Sequence, residues 1–274
     1  MNKSFKAELI HLAPIIVSLL FGVGCAYLLG ASGMKLFEIT PFQEESPAGP
    51  VSNALYFVVL VGFGASTLFF LLKKGNFRLI VLVTGFALVS AVFLLSTVYL
   101  YAFSLTFTPM PMEALVAVSA LMTVSVGYVF FGTKSRFGDF IVLLLGGALG
   151  TLLGASIQTL STVLILCFLA VYDAFAVYHG PVGKIARVGL EKLRGLSFSF
   201  KDIQMGLGDL TFYSMLVGHM LLYFGVFSCS ASIAGILIGC FLAFKMLERK
   251  GVFPGLPIPI FVGLALGFLI AFVV

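Results

Sequence analysis

Two aspartates, Asp173 and Asp209, lie inside apolar stretches of the chain that are long enough to cross a membrane. An ionisable side chain at that depth costs about 2.5–3.5 kcal/mol on insertion scales, so it is functional by default. Two carboxyl groups held together in a low-dielectric site cannot both ionise cheaply, and such a pair shares one proton. It can then act as general base and general acid on a water molecule, which needs neither a metal ion nor a covalent intermediate.

The composition excludes a soluble enzyme as the setting for these carboxyl groups. The 274 residues are 61% hydrophobic and 10% charged, and the mean hydropathy is +1.17, whereas a soluble domain carries about 25% charged residues. The net charge of +5 does not indicate a nucleic-acid partner, because the basic residues are not clustered on a soluble domain. We therefore predict an all-α polytopic membrane protein that lies in the lipid bilayer and binds no nucleic acid.

The apolar runs predict nine transmembrane helices in a single membrane domain over residues 1–274. About 20 residues at 1.5 Å per residue are needed to cross about 30 Å of hydrocarbon. The predicted spans are residues 11–31, 52–72, 79–103, 112–132, 140–154, 158–178, 208–227, 231–247 and 256–274.

The basic residues predict the orientation of these spans. Of the 16 lysines and arginines, all but Lys35 fall on alternate connections. The positive-inside rule then places the N-terminus in the cytoplasm and the C-terminus outside. The loop 179–207 is cytoplasmic in this arrangement, and it joins the two spans that carry the aspartates. Consecutive antiparallel spans therefore bring Asp173 and Asp209 to similar depths near the cytoplasmic face.

Glycines at helical spacing predict where the spans approach one another closely, since small residues let transmembrane helices pack backbone to backbone. They lie on the predicted fifth, eighth and ninth spans: Gly146, Gly150 and Gly154; Gly235 and Gly239; Gly263 and Gly267.

Three short motifs occur one after another along the chain. They are Tyr172-Asp173, Gly206-Leu207-Gly208-Asp209 and Pro254-Gly255-Leu256-Pro257. Together they resemble the motifs of presenilin and the signal peptide peptidases, which carry Tyr-Asp, Gly-x-Gly-Asp and Pro-Ala-Leu across nine spans. The departure is Gly255, which stands where the family has alanine.

The resemblance implies an intramembrane aspartyl protease with Asp173 and Asp209 as its catalytic pair and no cofactor. The predicted orientation is that of presenilin, and the short loop 179–207 resembles compact archaeal homologues, which implies an archaeal cell membrane. The substrates implied are single-span transmembrane proteins or signal-peptide-like segments, and a homo-oligomer is possible in such proteins.

Further residues are expected to contact substrate. The resemblance implies this role for Tyr172, Gly206, Leu207, Gly208, Pro254, Gly255, Leu256 and Pro257. The segment 196–201 alternates apolar and polar residues, which predicts a strand. We expect its edge to accept an unwound substrate as an added strand, with Phe198 and Phe200 beside it; an amphipathic surface loop is the alternative.

Other chemistries fit the sequence less well. No H-E-x-x-H motif occurs, and His11, His179 and His219 are scattered, so no metal site is predicted. A proton- or cation-coupled transporter or leak channel is the main alternative, because intramembrane aspartates also serve proton relays. A third interpretation is a structural role, in which each aspartate caps a helix or pairs with a loop lysine.

Overall fold

The computed structural model describes residues 6–46, 48–75, 77–132, 137–178, 197–201 and 203–273. Over these ranges the chain is helical apart from its connections and one two-stranded sheet, which confirms the predicted all-helical class. The helices are α1 (Ala13–Ser32, after a 3-10 turn at Leu9–Leu12), α2 (Gly49–Lys73), α3 (Phe77–Thr106), α4 (Met112–Gly132), α5 (Phe137–Ser156), α6 (Thr159–Tyr178), α7 (Leu207–Lys250) and α8 (Pro257–Val273); the strands are β1 (Ser197–Phe200) and β2 (Ile203–Gly206).

Seven of the helices in the described ranges are long and apolar enough to cross a membrane, and α8 is shorter at 17 residues. The 44 residues of α7 would extend about 66 Å as one straight helix, twice the hydrocarbon thickness. Instead the helix breaks at Gly225, whose φ of 84° and ψ of −177° are not helical. Tyr213 and Cys240 line the same cavity, so the two limbs, 207–224 and 226–250, fold back on each other.

The position of this reversal differs from the prediction, which placed the connection between residues 227 and 231. Gly225 has a positive φ, a conformation that glycine adopts without the steric cost of a side chain. Apolar content does not fall at this point, because valine and phenylalanine follow the glycine. A hydropathy boundary therefore misplaces a turn that depends on one backbone conformation.

The first limb of α7 packs against α5 through the predicted glycine stripe. A Cβ atom at Gly146 would lie 2.7 Å from Cβ of Leu210, and one at Gly150 would overlap the carbonyl oxygen of Thr211. On its other side α5 meets α1, where the hydroxyl of Ser18 donates to the carbonyl of Leu143 at 2.8 Å. Close backbone contact thus joins α1, α5 and α7 into the centre of the bundle.

The second limb of α7 packs against α8 in the same way. A Cβ atom at Gly239 would lie 2.5 Å from Cα of Pro259, and one at Gly235 would lie 2.7 Å from the carbonyl oxygen of Val262. The hydroxyl of Ser232 donates to the carbonyl of Gly263 at 3.0 Å. The predicted glycine stripes are therefore confirmed as packing faces.

Helix α2 is anchored mainly at its N-terminal end. Its buried residues are confined to its first turns, Gly49, Pro50, Asn53 and Ala54. The amide of Asn53 pairs with the backbone N–H and carbonyl of Phe42, both at 3.0 Å, and donates to the hydroxyl of Ser161 at 3.1 Å. The first turns of α2 are thereby fixed to α6, while the rest of α2 is partly or fully exposed.

The strands form an antiparallel hairpin in which Phe198 pairs with Met205 and Phe200 pairs with Ile203. Strand β1 confirms the prediction within 196–201, and β2 was not predicted. The side chain of Phe198 is 2% exposed, because the apolar face of the hairpin rests on the helix bundle. Residues 179–196 of the predicted cytoplasmic loop lie outside the described part of the chain.

The N-terminal segment contacts both the hairpin and the end of α7. Lys201 in the hairpin turn lies 3.8 Å from the carboxylate of Glu8, and the N–H of Ala7 donates to Glu248 at 3.1 Å. We call this side of the bundle, with residues 6–12, the hairpin and the end of α7, the hairpin end. At the opposite end, the N–H of Ile39 donates to the carbonyl of Ser156 at 3.3 Å.

Gly150→Ala tests the backbone contact between α5 and α7. We expect a destabilisation of about 1–3 kcal/mol, because the added Cβ overlaps the Thr211 carbonyl and the helices must separate. The measurement is the midpoint of thermal unfolding in detergent. Gly64→Ala on α2 is the control, since a Cβ there meets no atom within 4 Å. An unfolding midpoint that is equal in the two variants would contradict the packing described.

Candidate active site

Asp209 lies in the first turn of α7, directly after the hairpin. Gly206 is the N-cap of that helix, with an extended backbone at φ −77° and ψ 148°. Asp209 lies three residues after this N-cap, in the first turn of the helix. A carboxyl group in the first turn is favoured by the helix dipole. The hairpin therefore leads directly into the helical turn that carries the aspartate.

Asp173 reaches the same site from α6, one helical turn before that helix ends at Tyr178. The backbone N–H of Leu256 donates to its Oδ2 at 3.0 Å. The segment between α7 and α8 thus supplies a backbone donor to a carboxyl group that lies partly buried within the bundle.

Gly255 of this segment also lies against Asp209. A Cβ atom at Gly255 would lie 3.0 Å from Oδ2 of Asp209 and 3.2 Å from its Cγ. Because consecutive Cα atoms are 3.8 Å apart, one step of the chain, Gly255 to Leu256, contacts both carboxyl groups. The two carboxyl groups therefore lie against the same short segment at one end of the bundle, as the sequence analysis predicted.

Tyr213 holds this segment in place. It lies one helical turn beyond Asp209 on the same face of α7, and its side chain is 1% exposed. Its hydroxyl donates to the carbonyl of Gly255 at 2.8 Å. The sequence analysis missed this residue, although its i+4 spacing from Asp209 is a signal that could have found it.

A cavity of about 90 Å³ lies against Asp209. Its polar wall comprises Gln204 of β2, Tyr213 and Cys240, together with the aspartate itself. A water molecule needs a site that is polar and larger than about 10–15 Å³, so this cavity has room for water next to the carboxyl group.

The other predicted site residues fall into two groups. Gly206, Leu207 and Gly208 lie beside Asp209, and a Cβ at either glycine would make ordinary van der Waals contacts at 3.9 Å or more, so neither glycine is required by a close approach of neighbouring atoms. Pro254 and Leu256 are buried, and Pro257 begins α8.

The aromatic residues predicted to contact substrate have packing partners within the bundle. The hydroxyl of Tyr172 would lie 3.3 Å from a Cβ at Gly62, so the ring packs toward α2. Phe198 lies in the core and Phe200 is partly buried. Among the residues that the structure describes, no group of three or more histidine, cysteine, aspartate or glutamate side chains could hold a metal ion.

His219 has a structural environment within α7. Its ring nitrogens lie 2.7 Å from the carbonyl of Gly154 and 3.1 Å from the hydroxyl of Thr159, and its ring stacks on Tyr223. The histidine therefore joins α7 to the end of α5 and the start of α6, away from the two aspartates.

Comparison with solved structures shows the fold. The chain is similar to a presenilin family intramembrane aspartate protease solved in space group C222, with a TM-score of 0.70 and 21% identity over 96% of this chain and 99% of that one. A structure of such a protease in space group P2 gives a TM-score of 0.68 and 22% identity over 99% of each chain.

Comparison of sequences shows the family. Presenilin-B of Dictyostelium discoideum is 32% identical over 116 residues, which cover 36% of this chain and 23% of the relative's length. The family described as signal-peptide peptidase, presenilin aspartyl protease matches residues 16–186, a stretch that includes Asp173 and more than half of the chain. The protein therefore belongs to the signal-peptide peptidase and presenilin family of aspartyl proteases.

Proposed function

We propose that this protein is an intramembrane protease that hydrolyses peptide bonds within transmembrane helices, with Asp173 and Asp209 as its catalytic pair. The observation that carries the proposal is that Gly255 lies against Asp209 while the next residue, Leu256, donates to Asp173. Backbone atoms hold the two aspartates together at the hairpin end of the bundle, and the cavity beside Asp209 has room for water.

The proposed chemistry requires one proton shared between the two carboxyl groups. The ionised aspartate removes a proton from water as the water attacks the peptide carbonyl, and the protonated aspartate donates to the developing oxyanion. The two residues exchange these roles in the next half-reaction, when the amine leaves with a proton. Because only the singly protonated pair works, the rate should have a bell-shaped dependence on pH.

The hairpin provides a docking edge for the substrate in this proposal. A transmembrane helix must unwind before cleavage, and its freed backbone groups need partners where water is scarce. Each strand of the hairpin has one edge that is not used within the two-stranded sheet, and β2 leads directly into Asp209. The substrates proposed are single-span transmembrane proteins or signal-peptide-like segments, which can add as an extended strand.

We further propose nine membrane spans with the N-terminus in the cytoplasm. The count takes the limbs of α7 as two spans and adds α8 to the six helices that precede the hairpin. The basic loops then place the hairpin end, with loop 179–207, at the cytoplasmic face of what we propose is an archaeal cell membrane. A homo-oligomer is compatible with this arrangement. Membership of a protease family does not favour the transporter or leak channel.

Replacing either aspartate tests the catalytic pair. We expect Asp173→Asn and Asp209→Asn each to lower cleavage of a single-span substrate by at least about a hundredfold, since each variant removes one partner of the acid–base pair. The assay uses purified protein in liposomes. Glu113→Gln is the control, because Glu113 is an exposed carboxyl in the first turn of α4. Cleavage that persists in either aspartate variant would refute the mechanism; aspartate-dependent ion flux without cleavage by the wild type would favour the transporter.

Tyr213→Phe tests the positioning of the segment that contacts both aspartates. Loss of one hydrogen bond to Gly255 should lower kcat by about threefold to tenfold and leave KM nearly unchanged, because the ring still fills its site. Tyr223→Phe is the matched control: its hydroxyl, also on α7, donates to Ala155 at 3.3 Å. An equal effect of the two substitutions, or an effect confined to KM, would exclude the positioning role of Tyr213.

Ser199→Pro tests the edge of β1. Phe200 and Ile203 flank a two-residue turn, so the alternating pattern of an antiparallel pair directs the N–H of Ser199 away from β2. Proline at an edge position preserves the hairpin but removes this donor. We expect cleavage to fall by about twofold to tenfold, with the thermal unfolding midpoint retained. Cleavage equal to that of Ser199→Ala would show that substrate does not add at this edge.

A further inference from the structure

A groove of about 460 Å³ lies between α1, α3, α4 and α5 and is separate from the site that holds the two aspartates. Its wall includes Gly24 and Leu28 of α1 and Val92 and Leu95 of α3. The groove opens on the surface of the bundle, so a ligand can occupy it without displacing a helix.

The floor of the groove is closed and buried. Cys25, Leu95 and Ala148 are 8%, 3% and 6% exposed. The hydroxyl of Tyr99 donates to the carbonyl of Ala148 at 2.7 Å, and this hydrogen bond joins α3 to α5 across the floor. The groove is thus bounded by fixed backbone and satisfied polar groups on its inner side.

The rim of the groove is open on the outer surface of the bundle. Phe21, Phe103 and Met122 line it and are 40%, 38% and 47% exposed. These side chains belong to helices that are apolar enough to cross a membrane. The open side therefore faces lipid hydrocarbon and lies within reach of lipid chains.

The chemistry of the wall selects an apolar occupant. None of its lining residues carries a charge, and apolar cavities of this kind do not fill with water. The α3 wall runs from Val92 to Phe103, about 16 Å at 1.5 Å per residue. That length equals about half of the 30 Å hydrocarbon core, which is the length available to a lipid chain in one leaflet.

The direction of the groove shows which leaflet supplies the chain. Ala102 of α3 packs in one cluster with Met34 and Leu36, which follow α1 on the side opposite the hairpin end. The Phe103 end of the groove therefore lies toward the leaflet away from the aspartates, and the Val92 end lies near the middle of the bilayer.

We propose that this groove binds one acyl chain of a phospholipid from the leaflet opposite the hairpin end. The chain enters beside Phe103 and lies along α3 with its end near Val92, while the headgroup stays outside the groove. Binding depends on apolar contact and shape alone, since the wall presents no charged group to a headgroup. The inference does not depend on the proposed proteolysis.

Photo-crosslinking tests the site in the full chain. The protein is placed in phosphatidylcholine liposomes in which a fraction of the lipid carries a diazirine on one acyl chain, and labelled residues are located by mass spectrometry. We expect labelling of Cys25, Leu95 and Val92 in addition to that of Val59 and Phe63, which are exposed on α2 outside the groove and report contact with the surrounding lipid. Labelling of Val59 and Phe63 without labelling of the three groove residues would overturn the proposal.

A filling substitution provides the second measurement. Gly24 lines the groove, and a Cβ there meets no atom within 4 Å, so Gly24→Leu should occupy the groove without displacing a helix. We expect it to abolish labelling of the groove residues, and Gly24→Ala to reduce it. Gly64→Leu, on α2 with equally open space, should leave the labelling unchanged. Retained labelling in Gly24→Leu, or crosslinks at the groove to a second copy of the chain, would refute the acyl-chain site.

Discussion

The contact of one short backbone segment with two carboxyl groups is the constraint on which the site depends. Gly255 lies against Asp209 while Leu256 donates to Asp173. Carboxyl groups that approach in a low-dielectric environment repel each other when both are ionised, so the surrounding backbone must hold them together. Tyr213 contributes by bonding the Gly255 carbonyl from α7, and the aspartate, the tyrosine and the segment they contact form one connected unit.

Close contacts between the helices hold this unit in place. Glycine stripes bring α5 and α8 into backbone contact with the two limbs of α7, and α7 carries both Asp209 and Tyr213. The glycines therefore have a positional role, because each close contact fixes the position of α7 along its axis relative to the neighbouring helix. Helix α2 is anchored mainly through Asn53 and the adjoining turns, so the face of α6 near Tyr172 has a partner that is held less firmly. The closely packed helices α5, α7 and α8 and the more exposed helix α2 therefore meet beside the aspartates.

The chain separates its polar and apolar binding features. The hairpin end holds the aspartates, a backbone donor and a cavity with polar walls, as a hydrolytic reaction requires. The groove between α1, α3, α4 and α5 is uncharged and faces hydrocarbon. Each feature matches the medium that it contacts, because polar groups are costly in lipid unless they are satisfied and apolar voids are not filled by water.

The sequence by itself determined the membrane setting, the helical class, the pair Asp173 and Asp209, the strand within 196–201 and the glycine stripes. These follow from local properties: hydropathy, the cost of an ionisable group in lipid, and residue spacing along one element. The tertiary structure alone decided the reversal at Gly225, the pairing of β1 with β2, the burial of Phe198 and the orientation of Tyr172 toward Gly62. It also decided the bond from Tyr213 to Gly255, since that contact joins residues far apart in sequence. Such contacts depend on how the helices and strands pack. The periodicity of a single segment does not identify the element against which that segment packs.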